Sequence, residues 1–400
     1  MHKPIAVRAV DVGYGHVKYS EGRHPGSRAI QTNGFPSQSP GAREHVMDIP
    51  AMDRLDTHIV EVGGRRFEVG KAVGHRVSGS EESDVLDQDF ALSGAYAARL
   101  YGALNYIMPT LPDRSLDYLV LGLPMNTVFK HSEALAEKFA GMHAINVSGA
   151  SLNIGQCLVY PQPLGSYMAF LSSAAFRSSP LYQGGTPPMT LVVDPGYNTV
   201  DWFVCRGMVA SEARSGATLR GVCAVMRAVA DRFIQKTGAD AGISEIVRRI
   251  DQSIQHGTPF MLYGKRENLN EYMPAGDAVI EERAQAVKNA IGSGADIDVI
   301  VIGGGGATLY AEPLRRKFPK HQVVLLDHPV YANVRGFHIL GEDLARVANR
   351  ALGPPLVHVG PVADHNRSAR QGRRGPDSRL APLGAQAKGP ANSPIAALGA

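Results

Sequence analysis

The sequence predicts an α/β protein made of two similar lobes. Three stretches carry the prediction. Near the N-terminus, the apolar run Ala6–Val10 ends in Asp11-Val12-Gly13-Tyr14-Gly15 and resumes as His16-Val17-Lys18-Tyr19. About half a chain later, Leu191-Val192-Val193 ends in Asp194-Pro195-Gly196-Tyr197-Asn198 and resumes from Thr199 to Val204. Both have the form strand, Asp, x, Gly-Tyr, polar residue, return strand. A glycine turn lets backbone N–H groups approach an anion unobstructed. The third stretch, Ile297–Ile302, is a buried-strand run that opens into Gly303-Gly304-Gly305-Gly306 and then a helix. One such hairpin alone is an ordinary turn. The repeated pair with the late strand–glycine–helix implies two lobes facing one nucleotide.

The elements follow in order. After the hairpin at 5–19, residues 20–80 are rich in Gly, Pro, Arg and His and read as an irregular insertion in the first lobe. Within it, Ile59–Val62 and Arg66–Val69 flank Gly63-Gly64 as a small hairpin. From Asp84 the spacing of Leu86, Phe90, Ala97, Leu100, Leu104 and Ile107 is helical, and Pro109 stops it. Tyr118–Leu123 reads as a buried strand, His131–Ala140 as a helix, 144–160 as strands and Tyr167–Phe176 as an apolar helix. In the second lobe, Val222, Val225, Val229 and Phe233 mark one face of a helix from about Leu219 to Lys236, with Gly238 following as a cap would. Residues 239–277 read as a mixed region with short helices, and Asp277–Ile291 as a helix. A helix at Ala307–Phe318, a strand at Gln322–Leu326 and a last helix at about Phe337–Ala351 complete the lobe. After Gly353 the composition turns to Pro, Gly, Ala, Ser and Arg, which predicts a disordered tail.

Composition bounds the class. The chain has 400 residues, 44% hydrophobic and 20% charged, enough for two to three globular domains. The net charge of +4 lies partly in the tail and does not point to nucleic-acid binding. Cys157, Cys205 and Cys223 have no metal or redox spacing, which suits reduced thiols in the cytoplasm. No run approaches the roughly 18 apolar residues of a membrane span.

The chemistry follows from the turns. The two hairpins grip phosphates from opposite lobes, and Asp194 stands at a strand end where it can hold a hydrated metal. The glycine quartet lets a base and ribose lie against bare backbone. It comes too late in the chain for a dinucleotide fingerprint, and no Walker motif is present. Tyr14 and Tyr197 are bulky beside phosphates and are expected to point outward. Asp201 is expected to brace the second hairpin, outside the catalytic set.

The stretches DVGYGHVKY (11–19), LVLGLPMN (119–126), VYPQP (159–163), VVDPGYNTVDW (192–202), VIGGGGATLY (301–310) and YANVRGFHILGE (331–342) resemble, in order, the actin-like ParM/StbA ATPases of plasmid segregation, within the actin–Hsp70–sugar kinase superfamily. The PRTRC cluster D proteins are a nearer candidate group. The resemblance implies an actin-like, ribonuclease H-like fold of two lobes, each with an insertion: 1–165 with an insertion at about 20–80, 166–336 with one at about 216–292, a helix at 337–352 returning to the first lobe, and the tail at 353–400. It implies roles residue by residue. Asp11 holds hydrated Mg2+. Gly13, Tyr14 and Gly15 form the first phosphate turn, and Lys18 reaches the β- and γ-phosphates. Gln162 orients the attacking water. Asp194 lies near metal and water, and Gly196, Tyr197 and Asn198 form the second phosphate turn. Gly303, Gly304, Gly305 and Gly306 receive adenosine. Pro195 departs from the family's turn.

The implied activity is hydrolysis of ATP, with GTP possible, coupled to assembly into filaments that position plasmid DNA in the cytoplasm. The implied partners are further copies of the chain and a DNA-binding adaptor. No membrane is implied, and direct DNA contact is confined to a weak role for the tail. Two rival readings remain at this stage. One is a small-molecule kinase of the same superfamily, and the other is a nucleotide-gated scaffold that does not form filaments.

Overall fold

The computed structural model describes residues 5–42, 55–75, 89–183 and 185–351. Strands β1 (Val7–Val12), β2 (His16–Arg23) and β3 (Ile30–Pro36) form an antiparallel meander. A separate hairpin, β4 (His58–Val62) with β5 (Arg65–Val69), turns at Gly63 and Gly64. Both glycines sit at positive φ, where a Cβ would clash with the backbone. Helix α1 (Gly94–Ile107) carries the chain to β6 (Ser115–Leu123), parallel to β1. Helix α2 (Met125–Phe139) and the short β7 (Gly141–Ala144) lead to β8 (Ser151–Pro161), parallel to β6. The sheet order is β3-β2-β1-β6-β8-β7.

Helix α3 (Gln162–Leu171) and two short turns, α4 (Ala174–Arg177) and α5 (Pro180–Gln183), lead to the second sheet. There β9 (Met189–Pro195) and β10 (Thr199–Arg206) form a hairpin, and β11 (Val209–Ala210) and β12 (Gly216–Leu219) both pair with β10. Helices α6 (Val222–Thr237) and α7 (Ile243–His256) follow. A small hairpin, β13 (Met261–Leu262) with β14 (Lys265–Arg266), and α8 (Asp277–Ile291) come before β15 (Val299–Ile302). β15 lies parallel to β9. Helix α9 (Ala307–Lys317) crosses to β16 (Val323–Leu325), parallel to β15, and α10 (Ala332–Ala351) follows.

The two sheets share a plan. Each begins as an antiparallel hairpin whose first strand later gains a parallel neighbour. A parallel neighbour requires a crossover, here helical, so helices cover the sheet faces. Val10, Leu119 and Leu121 pack with Leu100 and Leu104 of α1 in one core. Leu191, Val193 and Ile300 pack with Val287 and Leu314 in another. Helices α6 and α7 enclose a third core of Met226, Phe233, Ile246 and Ile250. Val334 and Phe337 of α10 pack against Ala9 and Val120 of the first sheet.

Several boundaries differ from the sequence reading. The sheet continues through β3, so residues 20–36 are not an insertion. β3 buries little besides Phe35, which is the weak pattern of an edge strand. The helix read from Asp84 has its described start at Gly94, where the Ser93 hydroxyl accepts the Tyr96 N–H at 3.1 Å. Helix α2 starts six residues before the expected His131, directly after Pro124. Helix α3 starts at Gln162 rather than Tyr167, with Pro163 tolerated in its first turn. Within 239–277, α7 is a full helix whose Ile246, Val247 and Ile250 are buried. Helix α10 starts at Ala332, placing Gly336 inside it. The expected disordered tail at 353–400, the expected helix start at 84–88 and parts of the expected 20–80 insertion lie outside the described residues.

Candidate functional site

The two hairpin turns are built alike. Gly13 N–H donates to His16 O at 3.1 Å, and Gly196 N–H donates to Thr199 O at 2.8 Å. A Cβ on either glycine would press on that same carbonyl, at 2.9 and 3.2 Å. These first glycines therefore serve the turns themselves, and their N–H groups are spent. The second turn is held further by α6. Val222 N–H donates to Gly196 O at 3.0 Å and Cys223 N–H to Tyr197 O at 2.8 Å, so the turn's carbonyls occupy the orphan donors of the helix start.

Asp11 is 1% exposed at the end of β1. Lys18 faces it across the β1–β2 ladder and donates Nζ to Oδ2 at 3.2 Å. Gln162, at the first position of α3, donates Nε2 to Asp11 Oδ1 at 2.6 Å. Three expected site residues thus meet at one carboxylate. Burial opposes the Lys18 charge, but Asp11 and Asp194 outweigh it and hold the ammonium pKa above its ordinary value.

Asp194 is the last residue but one of β9 and is also buried. Its Oδ2 accepts Asn333 Nδ2 at 2.6 Å. Asn333 Oδ1 accepts the Ser166 N–H at 3.1 Å and the Ser166 hydroxyl at 2.6 Å. Burial pushes the Asp194 carboxyl up to about 6, with Asn333 opposing and Asp11 adding to the shift. Asp201 is the ladder partner of Asp194. Burial pushes it up to about 7, opposed by the Thr199 hydroxyl and reinforced by Asp194. Asp201 does more than brace its own hairpin, because Oδ1 accepts the Met125 N–H of α2 at 2.7 Å. Three mutually repelling buried acids, with Lys18 as counter-charge, form a centre that a cation would relieve.

The tyrosines take different places. Tyr14 stacks on Phe90 with ring centroids 4.9 Å apart, and both line the same pocket. Tyr197 does not point outward: its ring lies against Gly15 of the other hairpin, where a Cβ would come within 2.8 Å of the ring. Together with Gln162 and Asn198, both turns line one pocket, with Phe90, Tyr96 and Thr127 also in its wall.

The glycine quartet is shaped first by the protein. A Cβ on Gly303 would lie 2.0 Å from Ser166 Oγ, one on Gly304 1.9 Å from Asp194 Oδ1, and one on Gly306 2.4 Å from Val222. Gly305 alone of the four is exposed, with nothing within 4 Å of its Cβ position. The quartet lets β15 and α9 close on Asp194, and only Gly305 offers bare backbone outward.

Sequence reasoning gave no role to Asn333 or Ser166. The stretch containing Asn333 stood out, but its function depends on α10 crossing α3 almost backbone to backbone. A Cβ on Gly165 would meet Asn333 O at 2.4 Å, and one on Gly336 would meet Gly165 O at 1.7 Å.

Residues 9–165 match the family model for the N-terminal domain of actin-like proteins, and residues 192–316 match that for the C-terminal domain of the MreB-like archaeal actin homologue. The chain is an actin-like protein. The actin-like fold is shared with solved structures of low sequence identity. The archaeal actin homologue Ta0583 is 18% identical, with a TM-score of 0.62 over 85% of this chain and 100% of that one. A ParM subunit of a 15-stranded filament from Clostridium botulinum is 17% identical, with a TM-score of 0.64 over 85% and 100%. The apo psk41 ParM protein is 18% identical, with a TM-score of 0.58 over 87% and 100%. Ta0583 has also been solved in complex with ADP. No curated protein matches the sequence. No helix among the described residues is long and apolar enough to cross a membrane.

Proposed function

We propose that this actin-like protein binds and hydrolyses a nucleoside triphosphate, taken to be ATP, and assembles into filaments that segregate plasmid DNA through an adaptor. The observation that carries this reading is the pairing of Asp11 and Asp194 from two equivalent hairpins, with Lys18 and Gln162 bonded to Asp11. Mg2+ fits the donor set, because Asp194, raised by burial, and the buried Asp11 are hard oxygen ligands that positive charge would stabilise. When bound, Mg2+ neutralises charge on the phosphates.

The chain's own residues supply the rest. Lys18 holds its ammonium on Asp11, within the electrostatic reach of Asp194. The Gln162 amide is anchored on a rigid helix start and has a second N–H with which to orient water without acting as a strong base. That suits a slow hydrolytic timer, since phosphoryl transfer to water needs positioning above all. Asn333 fixes the Asp194 carboxylate, and Ser166 fixes Asn333. Contacts from both turns to one ligand favour a closed arrangement of the lobes, and a surface complete only in that arrangement couples assembly to nucleotide state. Head-to-tail contacts that do not close make open filaments. Filament structures of a ParM relative support the assembly half of the reading.

The test is sedimentation with Mg-ATP, Mg-GTP and non-hydrolysable analogues, with phosphate release assayed in the same tubes. Nucleotide-dependent pelleting with phosphate release is expected. Phosphate release without pelleting at any protein concentration would remove the filament reading. Transfer of phosphate to an added small molecule would replace it with a kinase.

A further inference from the structure

Helix α2 follows β6 of the first sheet, yet its first N–H is satisfied from the second sheet. The residue before it is Pro124, whose side chain makes no capping bond. A helix start leaves its first donors without intrahelical partners, and a buried one must find them elsewhere. Met125 N–H finds Asp201 Oδ1 at 2.7 Å, in a bond that is buried and 76 residues apart in sequence. Asp201 is 1% exposed, and its other oxygen takes the Thr199 hydroxyl. The carboxylate also lies at the positive end of the α2 dipole, which suits its charge.

We propose that Asp201 is a positioning residue that ties the two halves together: it caps helix α2 in trans, so that the first turn of α2 is held only while the second sheet is docked beside it. The cap makes α2 a reporter of whether the cleft is closed. Its existence does not depend on the ligand, while its part in a nucleotide cycle rests on the reading above.

The experiment is native-state amide exchange without nucleotide, read on peptides covering residues 125–131. Asp201→Ala is expected to speed exchange there about five- to tenfold, the effect of losing an N-cap. Peptides from α8 and α9 should stay near wild type. Asp201→Asn keeps an acceptor oxygen and should remain within about twofold of wild type. Met125→Pro removes the donor instead. Proline is tolerated at a first helical position, and Pro124 already has the extended ψ of 153° that a following proline requires. In that background Asp201→Ala should add nothing, whereas in a Met125→Ala background its effect should persist.

Unchanged exchange at 125–131 in Asp201→Ala would overturn the proposal. So would equal acceleration in every peptide, or an Asn variant as damaged as the Ala variant. Adding a fluorescent ATP analogue separates the two readings. If wild type binds none, the nucleotide reading fails while the exchange data still judge the cap. If it binds, Asp201→Ala should release the analogue faster.

Discussion

Replacing Asp194 by Asn should make the protein more stable and less active together. Asp194 keeps its proton more tightly in the folded chain, because burial lifts it from 3.8 to about 6. Ionising it therefore costs folding free energy. The cost is absent below the ordinary carboxylate pKa and complete above about pH 6. Two pKa units correspond to about 3 kcal/mol. The Asn amide recovers the Asn333 bond only in one orientation, so a net gain of about 2 kcal/mol is expected at pH 7.5. With an unfolding entropy of about 2 cal/mol/K per residue, this is a rise in melting temperature of about 3 °C for a body of this size. The assay is thermal unfolding of both proteins without nucleotide or Mg2+, from pH 4.5 to 8. The gap should be largest above pH 7 and about a third as large near pH 5. Hydrolysis by the variant should fall to background. A variant less stable than wild type at pH 7.5, or a gap independent of pH, would refute the account of Asp194 as an under-compensated buried charge.

Other consequences are open to direct test. Gly304→Ala forces a Cβ into Asp194 at a φ of +84°, so it should cost about 3 kcal/mol or more in urea unfolding. Gly305→Ala meets nothing and should leave unfolding within about 0.5 kcal/mol of wild type. A weakened nucleotide affinity in Gly305→Ala would then report adenosine on that backbone. Gln162→Ala should lower phosphate release at least about tenfold with little change in nucleotide affinity, and unchanged turnover would remove Gln162 from the mechanism. Phe233→Ala empties the core between α6 and α7, where Phe260 and Tyr272 meet its ring edge-on at 5.3 and 5.1 Å. It should cost about 3–5 kcal/mol.

The sequence by itself determined the α/β class, the two equivalent hairpins and the strand–glycine–helix that follows them. These are local signals: an apolar run of β-rich residues, an acid, and a glycine where the backbone must turn tightly. The family resemblance, rather than any local signal, drew attention to Lys18 and Gln162, whose side chains the fold brings to Asp11. Edges were harder to read. β3 buries one aromatic on an otherwise polar strand, and α3 begins between two prolines, so neither carries a clean period. The tertiary structure alone decided the tasks of individual atoms. It spent the N–H groups of Gly13 and Gly196 on their own turns and laid Tyr197 across Gly15. It filled three of the four quartet positions with protein atoms. It brought Asn333 to Asp194 and Asp201 to Met125 over 139 and 76 residues of chain. Such pairings depend on how one helix or sheet seats against another. That is set by packing across the whole molecule, and no spacing within a short stretch records it.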